Sequence, residues 1–372
     1  MEFTLNEEQE MLKKSAQDFL KNECDKKVLK ELEECETGFS KKLWEGMAEL
    51  GWMGIIVPEA YDGVGLSLLD LAVLFEEYGR AALNGPMLST VMGTLAMVEG
   101  GSDDLKSKRL PEVVSGQRVL AFAMEEPGVA YDPRCVTAEA ARTDSGYAIK
   151  GTKLFVPYAK VADDLFVVAR NGDDGQVAIF IVNRDAPGME LTELKTIAGD
   201  KQFQVDFKDA PVPAQDRLGR GDEGLNLVAS VLEKATAIQC AEMVGGAEYE
   251  LEITAEYCRT RVQFDRPIGT FQAVQHRLAD MYMDVLGARL TTYQALWRLS
   301  EGMAATREVA IAKAFASKAV RRVAFSAQQL HAGMGYDLDH ELHYYYRRAK
   351  ALELKMGTVP AQLKVLQTEL QL

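Results

Sequence analysis

The densest group of side chains able to do chemistry is the stretch Arg261-Val262-Gln263-Phe264-Asp265-Arg266-Pro267-Ile268-Gly269-Thr270-Phe271-Gln272. A guanidinium and carboxamides on a rigid corner are suited to gripping a diphosphate, and aromatic rings to packing on a flat heterocycle. A long helix reads as ending near Arg261, and Pro267-Ile268-Gly269 forces a turn. Thr270 then caps the next helix, placing Phe271 and Gln272 in its first turn. The same pattern also suits a plain, well-packed helical hairpin, so residue types alone leave both readings open.

Other chemistry-bearing patterns are weaker. Gly219-Arg220-Gly221-Asp222-Glu223-Gly224 is a literal GxGxxG, with Glu242 near the place of a ribose-binding acid. A dinucleotide-binding unit needs a parallel strand after the following helix, and here more helix follows. Two acids in the loop would also repel a pyrophosphate. His340 and His343 lie near Asp337, Asp339 and Glu341, but this spacing reads as a solvated helix start and no metal site is expected. No GxSxG and no P-loop are present.

Three zones of different periodicity must position these residues. Residues 1–117 have helical spacing, with Asn6 and Gln9 set for a capping box and helices over Lys41–Leu50, Ser67–Leu83, Pro86–Glu99 and Leu105–Ser115. Residues 118–221 alternate with period two. Strands are expected over Arg118–Phe122, Val136–Ala141, Tyr147–Val156, Asp164–Arg170, Val177–Val182 and Phe203–Phe207. With no helices between them, these strands predict an antiparallel barrel or sandwich. Residues 222–372 are helical again, over Glu223–Arg261, Thr270–Ser300, Thr306–Ala332, Asp339–Leu354 and Pro360–Leu370. The fold class is α+β: an N-terminal helical domain, a middle antiparallel β-barrel domain and a C-terminal four-helix bundle.

Composition narrows the classes of partner. The 372 residues are 47% hydrophobic and 26% charged, enough for a large core. A net charge of −14 gives no support to nucleic-acid binding. Cys24, Cys35, Cys135, Cys240 and Cys258 stand singly, as reduced thiols do. Apolar runs such as Met53–Pro58 are far shorter than a membrane span, and the first residues lack the basic region of a signal peptide. A cytoplasmic protein with no membrane partner is expected.

The order of zones, together with the RxQFxxPIGxFQ corner, resembles the acyl-CoA dehydrogenase family. Further matches run along nearly the whole chain: Pro58-Glu59-Ala60-Tyr61-Asp62-Gly63-Val64-Gly65, Glu126-Pro127-Gly128, Gly151-Thr152-Lys153 and Gln329-Leu330-His331-Ala332-Gly333-Met334-Gly335-Tyr336. The resemblance implies FAD-dependent α,β-dehydrogenation of an acyl-CoA thioester. In that chemistry a carboxylate takes the α-proton while a hydride leaves the β-carbon for flavin N5. It also implies an electron-transfer flavoprotein as the electron acceptor.

Carried over position by position, the resemblance is uneven. Arg261, Gln263, Phe264, Gln272, Gln329 and Gly333 match family positions that hold the adenine and diphosphate of FAD, mainly of FAD bound by the neighbouring subunit. On the flavin-ring side the family's Thr-Glu-Pro is Glu125-Glu126-Pro127, its Trp-Ile-Thr is Phe155-Val156-Pro157, and its Gly-Ser-Asp is Ala130-Tyr131-Asp132. The usual catalytic glutamate, just before Gly357-Thr358, is Met356, and the alternative base position on the first long bundle helix is Ala235. Glu242 and Glu353 are the nearest substitute carboxylates, with Asp339 opening the penultimate helix, although each also reads as an ion-paired or solvated residue.

Such losses imply one subunit of a heteromeric enzyme, completed by a homologous base-containing partner. The Leu342-His343-Tyr344 and Arg347–Leu354 stretches resemble those of two-gene members that take bulky, ring-containing acyl-CoAs. Two other readings stand beside it: a self-sufficient homotetramer with a relocated carboxylate base, and a non-enzymatic CoA-ester-binding or structural protein on this scaffold.

Overall fold

The computed structural model describes residues 4–129, 131–219 and 223–371. Its helices are α1 (Glu7–Glu23), α2 (Lys26–Glu34), α3 (Lys41–Glu49), α4 (Leu68–Arg80), α5 (Met87–Gly100) and α6 (Asp103–Val114). The strands β1 (Leu120–Ala123), β2 (Glu139–Thr143), β3 (Gly146–Pro157), β4 (Asp164–Asn171), β5 (Val177–Asn183), β6 (Met189–Leu194), β7 (Gln202–Pro213) and β8 (Arg217–Leu218) follow. Then come α7 (Glu223–Thr260), the two-residue strands β9 (Val262–Gln263) and β10 (Arg266–Pro267), α8 (Gln272–Ser300), α9 (Thr306–His331), α10 (Leu342–Leu354) and α11 (Val359–Glu369). N-terminal helices, a middle β domain and C-terminal helices therefore succeed one another as the periodicities predict.

The chain forms two compact units that cut across this order. One holds Met1–Leu29, Leu68–Leu83 and Thr236–Leu372, and the other Lys30–Ser67 and Asn84–Ala235. Helix α7 contributes to both. The first unit is helical. Small residues let its helices approach: a Cβ on Gly79 would meet the Glu242 carbonyl at 2.0 Å, and one on Gly245 the Glu76 carbonyl at 1.8 Å. Asn6 and Gln9 close the capping box on α1 as expected.

The second unit is built on one sheet in the order β6-β7-β3-β2-β4-β5-β8, with β1 joined to β4. Most junctions are antiparallel, as period-two strands without intervening helices should be. Two depart from that: β4 runs parallel to both β1 and β2. The β2–β3 hairpin lies between β1 and β4 in the chain, so β4 can return in the direction of β1 without a crossover helix. Strands β4 and β5 are buried almost throughout, a continuous apolar run of the type a covered sheet requires. Strand β6 (MELTEL) is mostly exposed and too polar for alternation to reveal it. Among the described residues no helix is long and apolar enough to cross a membrane.

Candidate functional site

The predicted clamp lies in the helical unit. Helix α7 ends at Thr260, and the Arg261 N–H still donates to the Tyr257 carbonyl at 2.8 Å. The chain then makes a minimal hairpin, with Gln263 opposite Arg266. Phe264 and Asp265 form its tip, with φ of 52° and 63°. Two successive positive φ values are the geometry of a tight hairpin turn that usually calls for Asn or Gly. The hairpin tip is therefore at Phe264-Asp265, and the turn expected from Pro267-Ile268-Gly269 follows it as a single 3-10 turn over Ile268–Thr270. Thr270 is not the cap of α8: its hydroxyl donates to the Pro267 carbonyl at 2.7 Å, and Phe271 occupies the cap position without a side-chain bond.

The hairpin presents its side chains outward. Phe264 is 85% exposed and stands edge-on to Phe271, and Arg266 covers the Phe271 ring at 4.1 Å. Arg261, Gln263 and Gln272 are exposed, and Arg261 makes no ion pair among the described residues. Gln329 and Gly333, also exposed, sit where α9 gives way to a turn over Ala332–Tyr336. The two parts of the clamp are pinned together by a residue pair that sequence reasoning missed. Tyr257, one turn before Arg261, stacks on His331 at 4.4 Å, and His331 lies between Gln329 and Gly333. His331 is buried, and its Nδ1 stands 2.9 Å from the Ala327 carbonyl. Burial holds its pKa below the usual value, so the ring is neutral and Nδ1 carries the donated proton. The spacing of Tyr257 from Arg261, one helical turn, was the available signal.

The flavin-ring positions lie in the β unit and have a different character. Glu126 is buried and accepts from Lys153 Nζ at 2.6 Å, Thr137 N at 2.7 Å, Thr137 Oγ1 at 2.6 Å and Ala138 N at 3.0 Å. Burial would raise its pKa, but the Lys153 bond and charge, with Thr137 and Ala138, outweigh that and hold the carboxylate ionised. Burial in turn pulls Lys153 down to about 8. This pair is structural, tying the end of β1 to β3. Glu125 gives its carbonyl to the Leu154 N–H at 2.8 Å. The Tyr131 phenol is pushed up by burial and then by the charge of Glu125, so ring and carboxylate share one neighbourhood. Phe155 is half exposed at φ 51°, where β3 slips register against β7, and Pro157 faces Gln202. Pro157 has neither a hydroxyl nor a backbone N–H to offer a flavin ring's acceptors, and the Glu125 side chain ends in a carboxyl in place of a hydroxyl. Ala130, from the altered Gly-Ser-Asp turn, lies outside the described residues, as do Arg220, Gly221 and Asp222 of the GxGxxG loop.

The base positions are also placed. Met356 follows α10 in a left-handed turn at φ 56°, its carbonyl accepting from Gln362 Nε2 at 2.9 Å. Ala235 is fully buried on α7. Glu242 is buried against Arg348, whose Nη2 donates to Oε1. Glu353 is held by Lys350 at 3.2 Å and approached by Arg321 at 3.9 Å. Asp339 precedes α10, which begins at Leu342, and takes part in the Asp337 turn. A carboxyl that sequence reasoning did not single out is the most perturbed of all. Glu250 on α7 is 1% exposed, Oε1 has no hydrogen-bond partner, and burial alone raises its pKa well above 4.5. It is a neutral acid.

The histidines and cysteines are occupied in other ways. His343 Nε2 lies 3.1 Å from the Leu338 carbonyl, and His340 Nδ1 accepts from Leu342 N at 3.2 Å. Among the described residues no group of three or more His, Cys, Asp or Glu is arranged to hold a metal. Burial pushes the Cys24 thiol up to about 12 and Cys240 to about 11, the opposite of an activated thiol.

The exposed Arg-Gln-Phe hairpin is joined to the Ala332–Tyr336 turn by the stack of half-buried Tyr257 on buried His331. Models of the N-terminal, middle and C-terminal domains of acyl-CoA dehydrogenases match residues 6–117, 121–210 and 222–370. The chain belongs to the acyl-CoA dehydrogenase family. Acyl-CoA dehydrogenase FadE27 of Mycobacterium tuberculosis is 35% identical to it, over 100% of this chain and 99% of the relative. A chain of the ChsE4-ChsE5 complex from Mycobacterium tuberculosis superimposes with a TM-score of 0.92 at 34% identity, covering 100% of this chain and 99% of that one. A chain of a variant of the Tcur3481-Tcur3483 steroid ACAD gives 0.90 at 32%, with 99% of both chains covered. This chain is accordingly an oxidoreductase acting on acyl-CoA, with FAD as its cofactor. The exposed Arg261, Gln263 and Gln272 carry donors of the kind a diphosphate and adenine take, whereas Glu125 and Pro157 stand at the positions that the family resemblance gives to the flavin ring.

Proposed function

We propose that this chain is the base-less subunit of a heteromeric acyl-CoA dehydrogenase, lending its clamp to FAD whose ring is held by a homologous partner. The observation that carries the reading is what stands at the two usual base positions and at the substitutes weighed beside them. Met356 and Ala235 cannot take a proton, while Glu242 and Glu353 are tied to Arg348 and to Lys350. The heteromeric ChsE4-ChsE5 relative supports the same reading.

FAD, when bound, accepts the hydride that leaves the acyl β-carbon. This chain's residues serve binding. Arg261 supplies a charge-assisted contact to the diphosphate, Gln263 and Gln272 supply carboxamide donors, and Phe264 supplies an apolar face. Glu125, half-buried in the ring pocket, would oppose any gain of negative charge beside it. The substrate class is a bulky, ring-containing acyl-CoA, supported by the steroid-type relative. Electrons pass on to an electron-transfer flavoprotein.

Flavin absorbance against protein mass tests the proposal. An assembly with a base-containing homologue should hold two FAD per α2β2 tetramer, and this chain alone should not turn over. Four FAD per tetramer of this chain, with robust activity abolished by Glu242→Gln or Glu353→Gln, would establish the self-sufficient enzyme instead.

A further inference from the structure

At one end of the sheet, two arginines converge on a single phenol. Arg142 faces Tyr147 across the β2–β3 ladder, and Arg217 enters from β8. Tyr147 is buried, with its ring edge-on to Phe180 at 5.1 Å, which leaves its hydroxyl one position to occupy. Arg142 Nη1 donates to that hydroxyl at 2.9 Å and Arg217 Nη1 at 3.3 Å. The two guanidinium carbons stand 5.0 Å and 5.9 Å from the ring centroid.

A phenol oxygen carries no formal charge, so it neutralises neither cation. Asp174 approaches Arg217 Nη2 only to 3.9 Å, beyond hydrogen-bond reach. Arg217 Nε and Nη2 are out of solvent and have no hydrogen-bond partner. Arg142 is exposed and makes no ion pair among the described residues. The corner thus sets two guanidinium groups together in a chain of net charge −14.

These three residues line a groove of about 1190 Å³ that also includes Ser102, Asp103, Glu223, Asn226 and Ser230. None of the clamp, ring-side or base positions lines it. Glu99, on the same groove, is committed to Lys234 and Ser230, each at 2.7 Å. Glu223 remains, with Asp103, which accepts from the Tyr61 hydroxyl at 3.3 Å, so a ligand should place its anionic end at the arginines and a neutral or cationic, hydrogen-bonding body along the acids. Guanidinium forks are matched to tetrahedral oxyanions. We propose that the Arg142–Tyr147–Arg217 corner binds the phosphate group of a small phosphorylated molecule, at a site separate from the dinucleotide clamp.

Calorimetric titration of the FAD-saturated assembly with inorganic phosphate and, separately, with AMP tests this. Saturation with FAD removes competition at the clamp. Saturable binding of at least one probe is expected, weakened about tenfold or more in Arg142→Ala and partly recovered in Arg142→Lys, with flavin content and melting temperature unchanged. AMP binding well above phosphate would mean that the groove reads the body of a phosphomonoester, and equal binding would mean that free phosphate is the ligand. No saturation by either probe up to on the order of 10 mM, or equal binding by wild type, Arg142→Ala and Arg217→Gln, would overturn the assignment.

Discussion

Replacing Glu250 by Gln should make the protein more stable, by an amount that grows with pH. The carboxyl is fully buried on α7 with one oxygen unpartnered, and burial alone raises its pKa well above 4.5. It is therefore protonated in the folded chain while the unfolded chain ionises it near 4.5. Below that pH both states hold the proton and the group costs nothing. Above it only the unfolded state releases the proton, and stability falls by about 1.36 kcal/mol per pH unit until the folded carboxyl also titrates. From pH 4.5 to 7 the ceiling on this cost is about 3.4 kcal/mol. Gln has the shape and hydrogen-bonding capacity of the neutral acid and no such linkage. For 372 residues, an unfolding entropy of about 2.1 cal/mol/K per residue turns that ceiling into a rise of about 4 °C in melting temperature at pH 7. The assay is differential scanning fluorimetry of wild type and Glu250→Gln between pH 5.5 and 8. The two curves should diverge as pH rises. Parallel curves would mean that Glu250 is ionised or well partnered in the fold, and the reasoning from its burial would fail.

Three further outcomes follow from the same structure. Arg261→Ala should weaken FAD retention about tenfold or more, as loss of a charge-assisted contact does, and flavin content after dialysis measures it. Ala332 adopts φ 52°, ψ −129°, a region comfortable only for glycine, so Ala332→Gly should stabilise the chain by about 1 kcal/mol after the entropy glycine adds to the unfolded state, read as a higher urea midpoint. Lys153→Met should leave the Glu126 carboxylate buried without its cation and destabilise the protein by about 3–5 kcal/mol, visible in the same urea titration.

Periodicity determined the element order by itself, because the spacing of apolar residues is a local property that survives without knowledge of partners. The long helices α7, α8 and α9 and the central strands β3, β4 and β5 were legible for that reason. The exceptions have physical causes. Strand β6 is short and mostly exposed, with its apolar Met189, Leu191 and Leu194 split between two faces, and α2 is a short, highly charged helix that carries few apolar anchors. The parallel β1–β4 pairing lay beyond local reasoning, since strand direction is decided by how a distant hairpin folds back. At the proposed clamp, the residue types stand in the motif itself. The tight turn at Phe264-Asp265 could not be read there, because Phe264 takes φ 52°, a conformation in which an aromatic residue is rarely found. The buried state of Glu250, the pairing of Glu242 with Arg348, and the stack of Tyr257 on His331 are also tertiary facts. Each depends on which helix face meets which, and a carboxylate's charge is set by what surrounds it rather than by its position in the chain.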